Sequence, residues 1–440
     1  MNNGDNICNR FAKLNGIQMK QLLKKHPSHL FYIALIMYVI LGYTPILNSG
    51  LFFILVVLTS SAAIMSDFGS KTYQHNSTLV GCICLYLSIC VVYKVLGIST
   101  FSYGLLILHV LFFMSILLML IIPSKLSAEK WTLIVKIVLL IICINIIDNI
   151  RLCLLYPEIA DVVNRGLIDE EIAGERINIG GSKWYNAVFF FFTVSFFAYL
   201  NCKNKTFKYL MLGCSGLAAL FIFGFCLKAS VIVFTFFSAI VLYFAKRSNG
   251  KTYFWILASL AGVALLLINL FSDEIIAFLS SSVSSERLAS RLISLLDTES
   301  MEAEAGVGTM SARGALWMVS IDTWTDNVAN FIFGIGAHHD NRDLGITNQS
   351  VGIGNHSDFF DTPAKYGIIG LILIFNILRL GFKRILSIYE KKYHLQLYVI
   401  FALFVLFGFT KGVFTPGIGC AIFLFLPLVK SAIDRNSLVK

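Results

Sequence analysis

Residues 104–122 read GLLILHVLFFMSILLMLII, a run without one charged side chain and with His109 and Ser115 as its only polar members. At about 1.5 Å of rise per helical residue it covers roughly 28 Å, close to the thickness of a bilayer's hydrocarbon core. Comparable runs recur at 30–46, 50–66, 78–96, 131–150, 184–200, 208–226, 229–245, 253–271, 366–382, 395–412 and 415–430, so the sequence predicts about 12 transmembrane helices. Bulk composition agrees: of 440 residues 57% are hydrophobic and 14% charged, with a mean hydropathy of +0.78. A soluble protein of this length needs more charge to cover its surface. The expected fold class is therefore an all-α integral membrane protein.

Lysine and arginine set the expected orientation. The segment 1–29 carries Arg10, Lys13, Lys20, Lys24 and Lys25. Every second connection after it is basic: Lys71; Lys125 and Lys130; Lys203, Lys205 and Lys208; Lys246, Arg247 and Lys251; Lys383, Arg384, Lys391 and Lys392. The short connections at 44–49 and 97–103 hold none. Basic loops stay on the cytoplasmic side, which puts both tails, 1–29 and 431–440, in the cytoplasm. These residues account for the net charge of +10, so no nucleic-acid partner is expected. The first apolar run is a full span rather than a short signal-peptide core, and it is expected to act as its own insertion signal. None of the ten cysteines falls in 272–365, which argues against a disulfide framework or a thiolate metal site there.

Two outer connections are long, 151–183 between helices 5 and 6 and 272–365 between helices 9 and 10, and loops of that length need a reason. Together they hold seven of the twelve arginines, Arg151, Arg165, Arg176, Arg287, Arg291, Arg313 and Arg342, whereas the inner face is mainly lysine. Orientation alone does not select arginine. Its planar fork binds phosphate oxygens in pairs and tolerates partial desolvation. Taken singly, each arginine can serve simply to balance a neighbouring acid; as a set they point to an anionic ligand at the outer surface.

Within the larger loop, SARGALWMVSIDTW (311–324) reads as an amphipathic helix, with Ser311 as amino-terminal cap and Ala315, Met318, Val319 and Thr323 on one face. FIFGIGAHHD follows, its Gly334 and Gly336 suited to a tight turn or a close backbone approach to a ligand. GNHSDFFDTPAKYGIIG (354–370) then leads into helix 10 and places His356 a few residues from the interface. Histidine is the side chain best suited to exchange a proton near neutral pH, although His356 could equally cap a helix start with Asp358 or Asp361. Trp184, Tyr185, Trp317, Trp324 and Phe359 are candidate sugar platforms, but each fits an interface anchor or a core residue better.

Arg313, Trp317, Gly334 with Gly336, His356, and Gly367 with Gly370, on a twelve-helix frame with enlarged outer loops, resemble the O-antigen polymerase and ligase superfamily of the Wzy and WaaL type. Where ligases carry a Ser-Arg pair near the outer end of helix 8, this chain has Lys228 with Ser230. No arginine in its loops is followed eleven residues later by glycine, a spacing described for polymerases.

The resemblance implies a bacterial inner-membrane glycosyltransferase acting at the periplasmic face. Its substrates would be undecaprenyl-diphosphate-linked oligosaccharides, with membrane lipids around it and a chain-length regulator and a flippase of the same pathway as partners. A base must take a proton from the attacking sugar hydroxyl, and cations must hold the charge developing on the departing diphosphate. The implied base is His356, with Arg313 as its catalytic partner. Arg287, Arg291, Arg176 and Lys228 would bind phosphate, and Asp358 or Asp361 would contact the glycan or orient the imidazole. Arginine can take the part a divalent ion plays elsewhere, so neither metal nor cofactor is expected. A lipid-linked oligosaccharide flippase is the alternative of another class; it calls for charges deep inside several spans, of which this chain has few.

Overall fold

A computed structural model describes residues 27–44, 50–67, 70–96, 103–125, 128–157, 182–226, 229–247, 310–336, 353 and 357–434. Among these every regular element is helical, so the chain is an all-α membrane protein. The helices are α1 (Pro27–Tyr43), α2 (Gly50–Asp67), α3 (Lys71–His75), α4 (Ser77–Val95), α5 (Tyr103–Lys125), α6 (Ala128–Leu155), α7 (Ser182–Asn201), α8 (Lys205–Phe225) and α9 (Ala229–Ala245). Then come α10 (Met310–Thr325), α11 (Val328–Phe333), α12 (Asp358–Ile388), a 3-10 turn (Lys391–Tyr393) and α13 (His394–Thr410). The last stretch runs without interruption through α14 (Pro416–Gly419), a π-helical turn (Cys420–Phe425) and α15 (Leu426–Asp434).

Among the described residues five helical stretches are long and apolar enough to cross a membrane: Ser77–Val95, Thr132–Leu155, Lys205–Phe225, Lys391–Thr410 and Pro416–Ile433. Shorter apolar helices accompany them at Leu30–Tyr43, Phe52–Asp67, Leu106–Ile121 and Ser230–Ala245. Of the predicted runs, 253–271 lies outside the described residues, and each of the others falls on a helix. The largest difference is α12, which begins at Asp358, eight residues before the predicted 366. Hydropathy missed its first turns because Asp358, Asp361 and Lys365 sit there, and it is protein rather than lipid that buries Asp361 and Lys365.

The carboxy-terminal helix lies at the centre. In its apolar window 89% is buried, against 28% for α4, and α14 packs on α1, α5 and α7. Lipid tails are as apolar as leucine, so helices associate in a bilayer through close contact and hydrogen bonds rather than hydrophobic exclusion. Both devices are present. At the crossing of α1 and α14, a Cβ on Gly417 would stand 2.6 Å from the Gly42 carbonyl oxygen, so only glycine allows the approach. Aromatic rings fill the interior: Phe382 stacks on Phe423 at 5.7 Å between centroids, and Phe189 on Phe407 at 5.2 Å. Asn201 of α7 donates to Gln396 of α13 at 2.9 Å, and Gln396 donates to the Leu242 carbonyl of α9 at 3.1 Å. Trp184 takes the core-residue alternative: it is buried and donates to the Tyr43 carbonyl at 2.7 Å.

Candidate active site

The expected loop helix is present as α10, starting one residue before Ser311, so Ser311 lies within its first turn rather than capping it. Its inward face also differs. Met318 is half-exposed, whereas Ser320 is fully buried and Trp317 packs on Phe360 of α12 at 5.4 Å between ring centroids. Trp317 and Ser320, three residues apart on one side of the helix, are therefore the residues that meet α12. Trp324 stacks on Phe331 of α11 at 5.1 Å and donates its indole N–H to the Phe331 carbonyl at 3.0 Å, closing α10 and α11 into a hairpin.

Three residues at the start of α12 bind this hairpin and the helix to the bundle. Ser357 caps the helix, accepting from the Phe360 amide at 3.2 Å while its hydroxyl donates to the Gly408 carbonyl at 3.0 Å. Asp358 accepts from the backbone amides of Val413 and Phe414 at 2.5 and 2.8 Å, fixing the turn between α13 and α14. Asp361 is buried and accepts a 2.6 Å hydrogen bond from the Ser320 hydroxyl, which ties α10 to α12. Hydrogen bonds to an ionised acceptor are roughly twice as strong as neutral ones, and more so away from water.

The glycines have a backbone role. Gly367 (φ 64°, ψ −168°) breaks α12 internally, and Gly334 (φ 73°, ψ 176°) ends α11. Both conformations belong to a region that only glycine occupies readily. The break lets two carbonyls of α12 accept from outside the helix: Ile335 donates to Ala364 at 2.9 Å and Gly336 to Lys365 at 3.0 Å. A Cβ on Gly334 would meet the Lys365 carbonyl at 2.4 Å, and one on Gly367 the Ile332 carbonyl oxygen at 2.0 Å. The close approach expected of Gly334 and Gly336 is thus to the chain's own backbone. Tyr93 of α4 secures the crossing by donating to the Phe333 carbonyl at 2.6 Å.

His356, Arg287, Arg291, Arg176 and Lys228 lie outside the described residues, and Arg313 is described only through its place in α10. Asp358 and Asp361, expected to contact glycan or orient His356, both accept hydrogen bonds from the protein. Beside them are groups the sequence reading passed over. Lys365, one helical turn after Asp361, is 5% exposed. Tyr366 packs against Tyr86 and Tyr93 of α4 at 5.6 and 5.7 Å. His109 of α5 meets Phe414 edge-on at 5.8 Å, next to the turn that Asp358 holds. The Asp361–Lys365 spacing was legible as an i,i+4 pair; a lone histidine in an apolar span gave no such signal.

Residues 216–375 match the family model described as O-antigen ligase, a span from α8 through α10 and α11 into α12. No curated protein matches the chain. The matched span includes the latch between Ser320 and Asp361, the paired glycines at 334 and 367, and the positions of Arg313 and His356. The match, confined to 216–375, is to the domain of the O-antigen polymerase and ligase superfamily.

Proposed function

We propose that this protein polymerises undecaprenyl-diphosphate-linked oligosaccharide repeat units into O-antigen or a related surface polysaccharide. It would do so at the periplasmic face of a bacterial inner membrane. In this reading the chain crosses about twelve times, the tails 1–29 and 431–440 are cytoplasmic, and 272–365 is the catalytic loop between spans 1–9 (30–271) and 10–12 (366–430). The single observation that carries the reading is the Ser320–Asp361 latch inside the matched family domain. It ties the helix on which Arg313 stands to the helix that begins two residues after His356. Arg313 falls seven residues before Ser320 on the same helix.

His356 would take the proton from the attacking sugar hydroxyl. Arg313, with Arg287, Arg291, Arg176 and Lys228, would hold the diphosphate as its negative charge grows. Donors and cations aimed at charge that develops only in the transition state accelerate the step without tightening ground-state binding. In this scheme arginine supplies the charge stabilisation and no metal takes part. Asp358 and Asp361 would act as positioning residues, holding the helix start against the bundle.

The test is His356→Ala expressed at wild-type level in cells lacking the native protein. Loss of long glycan is expected, and a wild-type chain-length distribution would refute the assignment. A ligase that transfers finished glycan to lipid A core is the second reading, favoured by the description of the matched family as O-antigen ligase. Deletion separates the two. Without a polymerase, single repeat units remain attached to the core; without a ligase, the core is bare and glycan accumulates on its lipid carrier.

A further inference from the structure

At the lysine-rich end of the bundle, away from the site just described, a hollow lies between α6, α8 and α15, lined by Thr132, Lys136, Asn204, Thr206, Phe207 and Ala432. Helix α6 has 28 residues and at about 1.5 Å each is roughly 42 Å long, some 12 Å more than the hydrocarbon core. Shared between its ends, that excess puts Thr132 near the boundary of the headgroup layer and Lys136 one turn deeper. Side chains on a helix lean toward its amino terminus, so Lys136 reaches back toward the headgroups, and a lysine stem is long enough to keep its ammonium there. Among the described residues no carboxylate pairs with that ammonium. Lys136 is exposed, and at the edge of a span its ammonium is free to meet an anion or water.

The rest of the lining complements an oxyanion. Asn204 uses its side-chain oxygen to accept from the Phe207 amide at 3.1 Å, which leaves its NH2 as a donor. Thr132 and Thr206 also line the hollow, with Phe207 and Ala432 as its apolar members. One cation, an amide donor and hydroxyls, with no acidic side chain among them, are the complement of a phosphate group.

We propose that this hollow binds a phosphate group, brought by an anionic phospholipid headgroup of the leaflet at the lysine-rich face or by free phosphate. The hollow is not lined by α10, α11 or α12 and does not depend on the polymerase reading. The test uses the full chain in a phosphate-free sugar detergent, with phosphatidylglycerol or inorganic phosphate as probe. Native mass spectrometry counts retained phosphatidylglycerol, and thermal shift reads inorganic phosphate. Lys136→Gln should cut whichever signal wild type gives by at least five-fold. Lys136→Arg should restore it, and Lys205→Gln, a lysine of the same face outside the hollow, should leave it unchanged. A lipid adduct that millimolar phosphate does not displace assigns the headgroup as source; a phosphate-induced shift without lipid retention assigns the free ion. Lys136→Gln that elutes as a monodisperse peak and retains the wild-type signal overturns the proposal, as does wild type giving neither signal.

Discussion

Gly367→Ala tests the backbone crossing on which the candidate site is built. The new methyl group meets two costs. It forces a side chain into φ 64°, ψ −168°, a region that costs about 1–3 kcal/mol for residues other than glycine. It also lands 2.0 Å from the Ile332 carbonyl oxygen and 2.5 Å from the Phe333 amide nitrogen, both backbone atoms that cannot swing aside. Overpacking of this kind adds roughly 1–3 kcal/mol, so the sum is about 2–6 kcal/mol. The damage should centre on the strap that runs from Ile335 and Gly336 to Ala364 and Lys365. The internal control is Gly213→Ala in α8, where the same methyl group meets nothing within 4 Å. Alanine is there the better helix former by about 1 kcal/mol, so the control should be neutral or slightly stabilising. Both variants would be melted in detergent as fluorescent fusions and followed by size-exclusion chromatography. Gly367→Ala should melt several degrees below wild type while Gly213→Ala does not. Equal melting of Gly367→Ala and wild type would show that the glycine conformation and its 2.0 Å approach are not features of the folded protein.

Further outcomes are expected nearby. Ser320→Ala leaves the buried Asp361 carboxylate without its 2.6 Å donor and should cost about 1.5–3 kcal/mol; in a double-mutant thermal-melt cycle Asp361→Asn should be strongly non-additive with it, and additivity would deny the latch. Asp358→Ala strips the acceptor from two buried amides, Val413 and Phe414, at a cost of roughly 2–4 kcal/mol, and limited proteolysis should then cut the turn at 411–415 that wild type protects. Arg313→Lys keeps the charge but loses the planar fork, so in an elongation assay on lipid-linked repeats it should fall between wild type and Arg313→Gln, with the latter at least ten-fold down. Full activity of Arg313→Gln would remove that residue from the mechanism.

The positions of the apolar helices were readable in the chain because lipid exposure imposes long uncharged runs, and the loop helix was readable from its amphipathic spacing. The early start of α12 was not. Asp358, Asp361 and Lys365 mark it as polar to any window average, and Ser320, Val413 and Phe414, brought from elsewhere in the chain, donate to the two carboxylates. Gly334 and Gly336 suited a tight turn or a close approach to a ligand, but nothing in the sequence said that the approach would be to the chain's own backbone. Nor could hydropathy distinguish the carboxy-terminal helix, the most buried of the candidate spans, from α4, the least. Local pattern, then, determined which segments are helices and which residue types gather in the long loop, because bilayer thickness and side-chain polarity act on each segment separately. Which helix occupies the centre, and which side chain on α10 turns toward Asp361, were decided only by tertiary packing, since those choices depend on partners tens to hundreds of residues away.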